Sequence, residues 1–140
     1  VGKRAHPFNL EIENKKDIFS ISCSHDGYKR LKGSPIHRRN WKFYKNSLVV
    51  FDKIFGDFKV SYAYFHFHPL VKIIKNDKGN LDIELPNGKR VLLKVKIGRA
   101  ILINSYYSPE FGKRYKTNCL KVMLERKLSC VKILWESEND

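Results

Sequence analysis

Residues 76–97, NDKGNLDIELPNGKRVLLKVKI, decide the fold. Two short apolar-rich runs, 81–85 and 90–97, flank PNGK at 86–89, and NDKGN at 76–80 precedes the first of them. Asparagine, aspartate and glycine tolerate positive φ, so both insertions read as tight turns between consecutive antiparallel strands. Similar runs rich in Val, Ile, Phe and Tyr recur along the chain, bounded by glycine, asparagine and proline. Nowhere does a 3.6-residue apolar period persist, which argues against helices. The predicted strands are 8–13, 17–25, 36–44, 47–54, 58–68, 81–85, 90–97, 100–107, 118–126 and 130–135. About ten strands exceed one flat sheet, so the expected fold is all-β, an antiparallel two-sheet β-sandwich, with a barrel second. A chain of 140 residues suits a single domain over 1–140 with one modest core.

Lysine and arginine total 28 against 14 acids, a net charge of +14. That excess favours polyanionic partners, namely nucleic acid, acidic lipid or acidic polysaccharide, without choosing among them. The charge is dense in SHDGYKRLKGSPIHRRNWKFY, residues 24–44, where six basic side chains and four aromatics meet one acid, Asp26. Alternation along a strand divides this run. Phe19, Ile21, Cys23 and His25 share one parity and Ser20, Ser22 and Ser24 the other, so His25 ends an apolar, inward face. His37 and Arg39 share parity with Trp41 and Phe43, which are expected to be buried, while Arg38, Asn40 and Lys42 take the opposite side. Basic groups split between two surfaces make a poor continuous clamp for nucleic acid.

The stretch 58–68 has apolar and aromatic residues on both parities, the mark of a central strand covered on both faces. His66 and His68 fall on one face with Tyr62 and Tyr64, near a strand end marked by Pro69. Two histidines at this spacing can reach one metal ion, yet a histidine on an apolar face is more often a hydrogen-bonded structural residue, and the same holds for His37. Cys23, Cys119 and Cys130 lack Cys-x-x-Cys spacing, so neither a zinc ribbon nor a redox pair is indicated. The odd count leaves at least one free thiol. Cys119 and Cys130 could meet across a hairpin, although Cys23 and Cys119 read as ordinary core residues. No stretch approaches the roughly 20 apolar residues of a membrane span, and no secretory signal is visible. The chain opens at Val1 without a methionine, as a processed product or excised fragment does, and its acidic tail WESEND is expected to fray.

Five pieces carry a resemblance: SHDGYKRL at 24–31, IHRR at 36–39, SLVVFDKIFGD at 47–57, FHFHP at 65–69 and YYSPEFGKRY at 106–115. In order and spacing they resemble the C-terminal β-sandwich region of the heparinase II/III-like polysaccharide lyases. The resemblance implies a parent with an N-terminal α/α toroid packed against the sandwich, cleaving uronic-acid polysaccharide by β-elimination. Such a reaction neutralises the sugar carboxylate, removes the C5 proton with a base and protonates the departing oxygen with an acid. In the family a toroid tyrosine and a histidine or asparagine supply much of this, joined by a His-Asn motif early in the sandwich. Neither can be matched here, since His6 is followed by Pro7. The chain is therefore expected to be a C-terminal part of a larger enzyme, inactive alone, with no catalytic residue of its own.

Of the family's site residues, His25 carries over as a ligand of a structural divalent metal in the parent, zinc by the chemistry of an imidazole site, with none expected on this chain alone. Tyr28, Arg30, Arg38 and Arg39 lie in the matched motifs, and arginine pairs two-pronged with carboxylate or sulfate, so an acidic polysaccharide is the expected ligand. The competing reading of the arginines is structural ion pairing, with Asp26 or Asp52. A stand-alone acidic-carbohydrate-binding module, using Arg30, Arg38 and Lys42 with Tyr28 and Trp41, is the second functional reading. A nucleic-acid-binding β-domain is the weakest. The resemblance implies a periplasmic or extracellular setting.

Overall fold

The computed structural model describes residues 4–135, and the acidic tail lies outside the described residues. Among the described residues there are eleven strands and no helix: β1 (Pro7–Lys15), β2 (Ile18–His25), β3 (Ile36–Tyr44), β4 (Ser47–Phe55), β5 (Tyr62–His66), β6 (Lys72–Asp77), β7 (Asn80–Glu84), β8 (Arg90–Ile97), β9 (Arg99–Tyr107), β10 (Tyr115–Met123) and β11 (Leu128–Trp135). They form two antiparallel sheets, as expected, but of unequal size. The large sheet runs β1-β2-β3-β4-β11-β8-β7-β6 and the small one β5-β10-β9.

The NDKGN and PNGK turns join β6 to β7 and β7 to β8, with positive φ at Lys78, Gly79 and Gly88. Strand β6 was absent from the sequence expectation, because a Lys- and Asn-rich segment holding only Ile73 and Ile74 as apolar residues does not look like a strand. It forms because it is an edge, needing one partner and little burial. Gly98 is the single residue between β8 in the large sheet and β9 in the small one. Its φ is +109°, and a Cβ there would sit 2.7 Å from Val122 Cγ1, so the corner requires glycine.

Apolar residues of the two sheets meet in a core of Ala63, Leu81, Ile83, Leu93, Leu120, Val122 and Val131. This core lies between the small sheet and strands β7, β8 and β11. Beyond it, the same face of the large sheet continues across β4, β3, β2 and β1 through the register Val50–Trp41–Ile21–Ile12. No described residue of the small sheet covers its far end, where Ile12 is 60% exposed and Phe19 and Phe43 are 38% exposed. Phe43 is therefore not buried as expected, and Trp41 is only half-buried.

Two further expectations change, and the cysteines resolve as free thiols. Strand β5 is an edge of the small sheet rather than a central strand, with Ala63 buried while Tyr62 and Tyr64 face solvent. Ser20, Ser22 and Ser24, on the polar parity of β2, are buried because the Arg38 side chain lies across that face. Cys119 and Cys130 stand in different sheets and all three cysteines are free, so there is no hairpin disulfide.

The β2–β3 connection is locked against the β4–β5 loop. Asp57 N–H donates to the Gly33 carbonyl at 3.1 Å, and Lys127 Nζ donates to the Gly56 carbonyl at 2.6 Å. Gly33 has φ +87°, and a Cβ there would lie 2.1 Å from the Asp57 carbonyl oxygen. Gly33→Ala is expected to cost about 2 kcal/mol or more, since left-handed strain alone accounts for about 1–2 kcal/mol and the clash is with backbone. Urea denaturation of the variant checks this, and an unchanged midpoint would show that the connection relaxes freely.

Candidate functional site

Asp52 sits in the middle of β4 with its carboxylate pointing into the sandwich, 1% exposed. The pairing register aligns Cys23, Arg39, Asp52 and Ser129 across β2, β3, β4 and β11. Arg39 Nε donates to Asp52 Oδ1 at 2.6 Å and Nη2 donates to Oδ2 at 3.1 Å, a two-pronged pair. Ser129 Oγ donates to Oδ2 at 3.2 Å, and His37 Nε2 donates to Oδ1 at 2.7 Å. Burial pushes the Asp52 carboxyl up, but the hydrogen bonds from His37 and Arg39 and their charges outweigh it and hold the group below the ordinary carboxylate range.

The network continues to the surface. His25 Nε2 and His37 Nδ1 are 3.0 Å apart, and Gly27 N–H donates to His25 Nδ1 at 3.2 Å. Both ends dictate the tautomers. The amide makes His25 Nδ1 an acceptor, so Nε2 carries the proton; the carboxylate makes His37 Nε2 a donor, so Nδ1 is the acceptor. A single directed chain results, from Gly27 through His25 and His37 to Asp52. All four imidazole nitrogens are engaged in it.

These residues floor a cleft of about 230 Å³ at one end of the sandwich. Its walls are the β2–β3 connection, represented by Tyr28, and the edge strand β5, represented by Tyr62 and Tyr64. Tyr28 packs against His25 with ring centroids 5.3 Å apart and planes tilted by 56°. An apolar extension of about 220 Å³ shares Tyr28, Ile54, Tyr62 and Tyr64 and adds Leu31, Pro35, Phe58 and Val60. Asp52 takes two of the five Arg39 N–H donors, and the guanidinium lies 5.6 Å from the Phe65 ring centroid. The cleft is thus an aromatic-walled recess whose one guanidinium is paired with the buried carboxylate, with no free base on its floor.

The four arginine and tyrosine positions singled out in the sequence do not form one set. Tyr28 and Arg39 share the cleft with His25. Arg30 lies in a neighbouring basic recess with Arg4, His6 and Lys29, where its Nη1 donates to the Gly27 carbonyl at 3.0 Å. Arg38 is on the opposite face of the sheet, donating to the Asn9 carbonyl, Ser22, Ser24 and Glu11, so its guanidinium fastens β1, β2 and β3. His66 contacts Ser105 at 3.3 Å, and His68 Nδ1 accepts from Leu70 N–H at 3.3 Å.

For a metal, the donor set is decisive. Among the described residues no group of three or more His, Cys, Asp or Glu is placed to hold an ion, and both His25 nitrogens are engaged in hydrogen bonds. Among the described residues His25 therefore has no companion ligands, and a zinc centre at His25 in the parent would need ligands from outside them. The sequence did not flag the roles of Ser129, the Gly27 amide, Tyr62 or Tyr64. One signal was available: an acid at the inward parity of SLVVFDKIF, where Leu48, Val50 and Ile54 are its neighbours.

A further proton on the imidazole pair must go to a nitrogen that already accepts, setting two donors face to face. In accord, burial lowers the His25 pKa, as do the His37 and Arg39 charges, against a smaller opposing effect of Asp26. A depressed folded-state pKa means that the unfolded chain takes up the proton first. The stability this group contributes is present above its ordinary value of 6.5 and is lost as pH falls through the lower folded value. The melting temperature should therefore decline as pH drops below that point, and His25→Gln should flatten the decline; parallel profiles for the two proteins would refute the linkage. Arg39→Ala, which leaves Asp52 short of its two-pronged partner, is expected to cost about 3–5 kcal/mol in urea denaturation.

Residues 1–136 match the family model described as heparinase II/III-like, C-terminal. No curated protein matches the chain. Among solved structures, the heparan sulfate lyase HepC from Pedobacter heparinus superposes with a TM-score of 0.73 at 11% identity, over 98% of this chain and 22% of that one. A heparinase III, the BT4657 gene product, gives a TM-score of 0.68 at 14% identity, over 95% of this chain and 22% of that one. At these identities the likeness is one of fold, and the chain spans about a fifth of each enzyme's length. Motifs, sandwich and the match over residues 1–136 lead to one conclusion: the chain belongs to the heparinase II/III-like family, as its C-terminal domain.

Proposed function

We propose that the chain is the sandwich domain of a polysaccharide lyase that cleaves acidic, uronic-acid-containing polysaccharide by β-elimination. In this reading the domain grips and neutralises the sugar acid, while the base and acid of the reaction come from an upstream α/α toroid. The observation that carries it is the cleft itself. Arg39, with N–H donors beyond the two that Asp52 takes, and Tyr28 line an aromatic recess, yet both histidines there are committed at both nitrogens. Such a floor suits charge recognition and orientation, and leaves proton abstraction to groups brought by another domain.

Two features support a partner domain. The family's solved members named above are several times longer than this chain. The apolar face over Ile12, Phe19, Ile21 and Phe43 is large and only half-covered, as a surface that receives another layer is. No helix among the described residues is long and apolar enough to cross a membrane, and we place the parent in the periplasm or outside a bacterial cell, where acidic polysaccharide is met. The same committed imidazoles also support a second reading, a stand-alone acidic-carbohydrate-binding module, since that role needs no base at all.

Ultraviolet absorbance of unsaturated uronate separates the two. The parent should generate it from heparan-type polysaccharide, whereas the 140-residue chain should bind the polymer without cleaving it. A parent that binds but never produces the unsaturated sugar would leave the module reading in its place. On the isolated chain, Tyr28→Ala should weaken binding about fivefold, the scale of one aromatic contact, as read by calorimetric titration at fixed salt.

A further inference from the structure

The outer side of the small sheet is not what a solvated antiparallel face ordinarily presents. Leu120, Val122 and Ala63 point into the core, so the register turns the opposite parity outward. Along β5 that parity is Tyr62, Tyr64 and His66; along β10 it includes Tyr115 and Lys121; along β9 it includes Ile101 and Tyr107. A solvated face would carry frequent charges of both signs. Here the outward positions of the three strands hold no carboxylate; rings line β5 and recur at one end of β9 and β10, at Tyr107 and Tyr115, with Thr117, Cys119, Ile103 and Ser105 in the middle of those two strands.

Ring centroids of Tyr62 and Tyr64, and of Tyr64 and His66, are each 6.3 Å apart, and Tyr107 packs edge-on to His68 at 4.9 Å. Tyr64, Tyr107 and Tyr115 are all among the exposed large side chains. Lys121 is paired opposite Tyr64, its Nζ 3.9 Å from the Tyr62 ring centroid and 5.9 Å from that of Tyr64, at the end of the sheet away from Tyr107 and Tyr115. At roughly 3.3 Å per residue, Tyr62 to His66 spans about 13 Å, room for more than one sugar ring. The row is continuous with the cleft, because Tyr62 and Tyr64 belong to both.

We propose that this face is a polysaccharide track, on which sugar rings stack against Tyr64, Tyr107 and Tyr115 while Lys121 pairs with a carboxylate or sulfate of the same chain. The proposal rests on the acidic-polysaccharide reading above and extends it: a chain held at Arg39 crosses the β5 edge and continues over the small sheet. Charge complementarity selects the occupant. The protein carries +14, and the Lys121 ammonium at the cleft end of the track rests on the Tyr62 and Tyr64 rings, where an acidic sugar draws it aside and uncovers the ring faces. An acidic polysaccharide satisfies rings and ammonium together, in register along an open strip.

The test is calorimetric titration of the 140-residue chain with size-graded heparin oligosaccharides, with hyaluronate oligosaccharides, which carry carboxylates only, as a second arm. Affinity should rise with oligosaccharide length. Lys121→Gln should bind long heparin oligosaccharides about tenfold more weakly, the scale of one charge-assisted contact, and Tyr107→Ala about fivefold more weakly. Both should match the wild type on the shortest ones, whereas Tyr28→Ala weakens every length. All three side chains are partly or largely exposed, so folding is not at issue. Loss confined to heparin assigns sulfate to Lys121, and equal loss on hyaluronate assigns carboxylate. If Tyr28→Ala weakens binding but the two track variants equal the wild type at all lengths, the cleft stands and the track falls. If no acidic oligosaccharide binds while single-stranded DNA does and loses affinity in Lys121→Gln, the occupant is nucleic acid and the sugar assignment is overturned.

Discussion

The buried carboxylate of Asp52 is the constraint around which this molecule is arranged. A lone charge at that depth would cost several kcal/mol, and here Arg39, His37 and Ser129 together satisfy it. Those partners come from β3 and β11, the two strands that flank β4, so the pairing of the large sheet and the solvation of its buried acid are one event. The same carboxylate sets the tautomer of His37, which sets the proton on His25, which orients the ring that Tyr28 packs against. A structural ion pair thereby reaches the cleft surface in three steps.

That arrangement commits both imidazoles of the cleft to the hydrogen-bonded chain. Each has a donor on one side and an acceptor on the other, and each acts within the chain as a positioning group. What the cleft retains is the Arg39 N–H donors that Asp52 does not take and aromatic surface on Tyr28, Tyr62 and Tyr64. The acidic-sugar reading proposed above draws on these groups, and the solved structures that share the fold are far longer than this chain.

The unequal sheets have a matching consequence. Three strands can cover only part of eight, and the core closes over β7, β8 and β11. The half-covered apolar face toward β1 and the aromatic outer face of the small sheet are thus two distinct surfaces. One is apolar and nearly without charge; the other mixes rings with a lysine. Their chemistry separates a surface fit for packing another layer from one fit for a polysaccharide.

Turn chemistry and the lack of helical period were enough to read the all-β sandwich from sequence, because hairpin turns demand glycine and asparagine at fixed places. Strand β6 escaped because an edge strand needs few apolar residues, and β5 was taken for a central strand because aromatic side chains on a solvated face look like core. Parity correctly put His25, His37 and Arg39 on one side and Arg38 on the other. It did not show that Ser20, Ser22 and Ser24 are buried, since the cover comes from Arg38 on a neighbouring strand. The family was legible as well, its five motifs being local in sequence. The hydrogen-bonded chain was not: it joins residues 25, 37, 52 and 129, and only the pairing of β2, β3, β4 and β11 brings them within bonding distance. The sequence by itself thus determined strands, turns, charge and kinship, whereas tertiary structure decided which arginine is spent on the fold, which faces the cleft and which aromatics meet solvent, because hydrogen bonds and burial depend on neighbours that alternation cannot name.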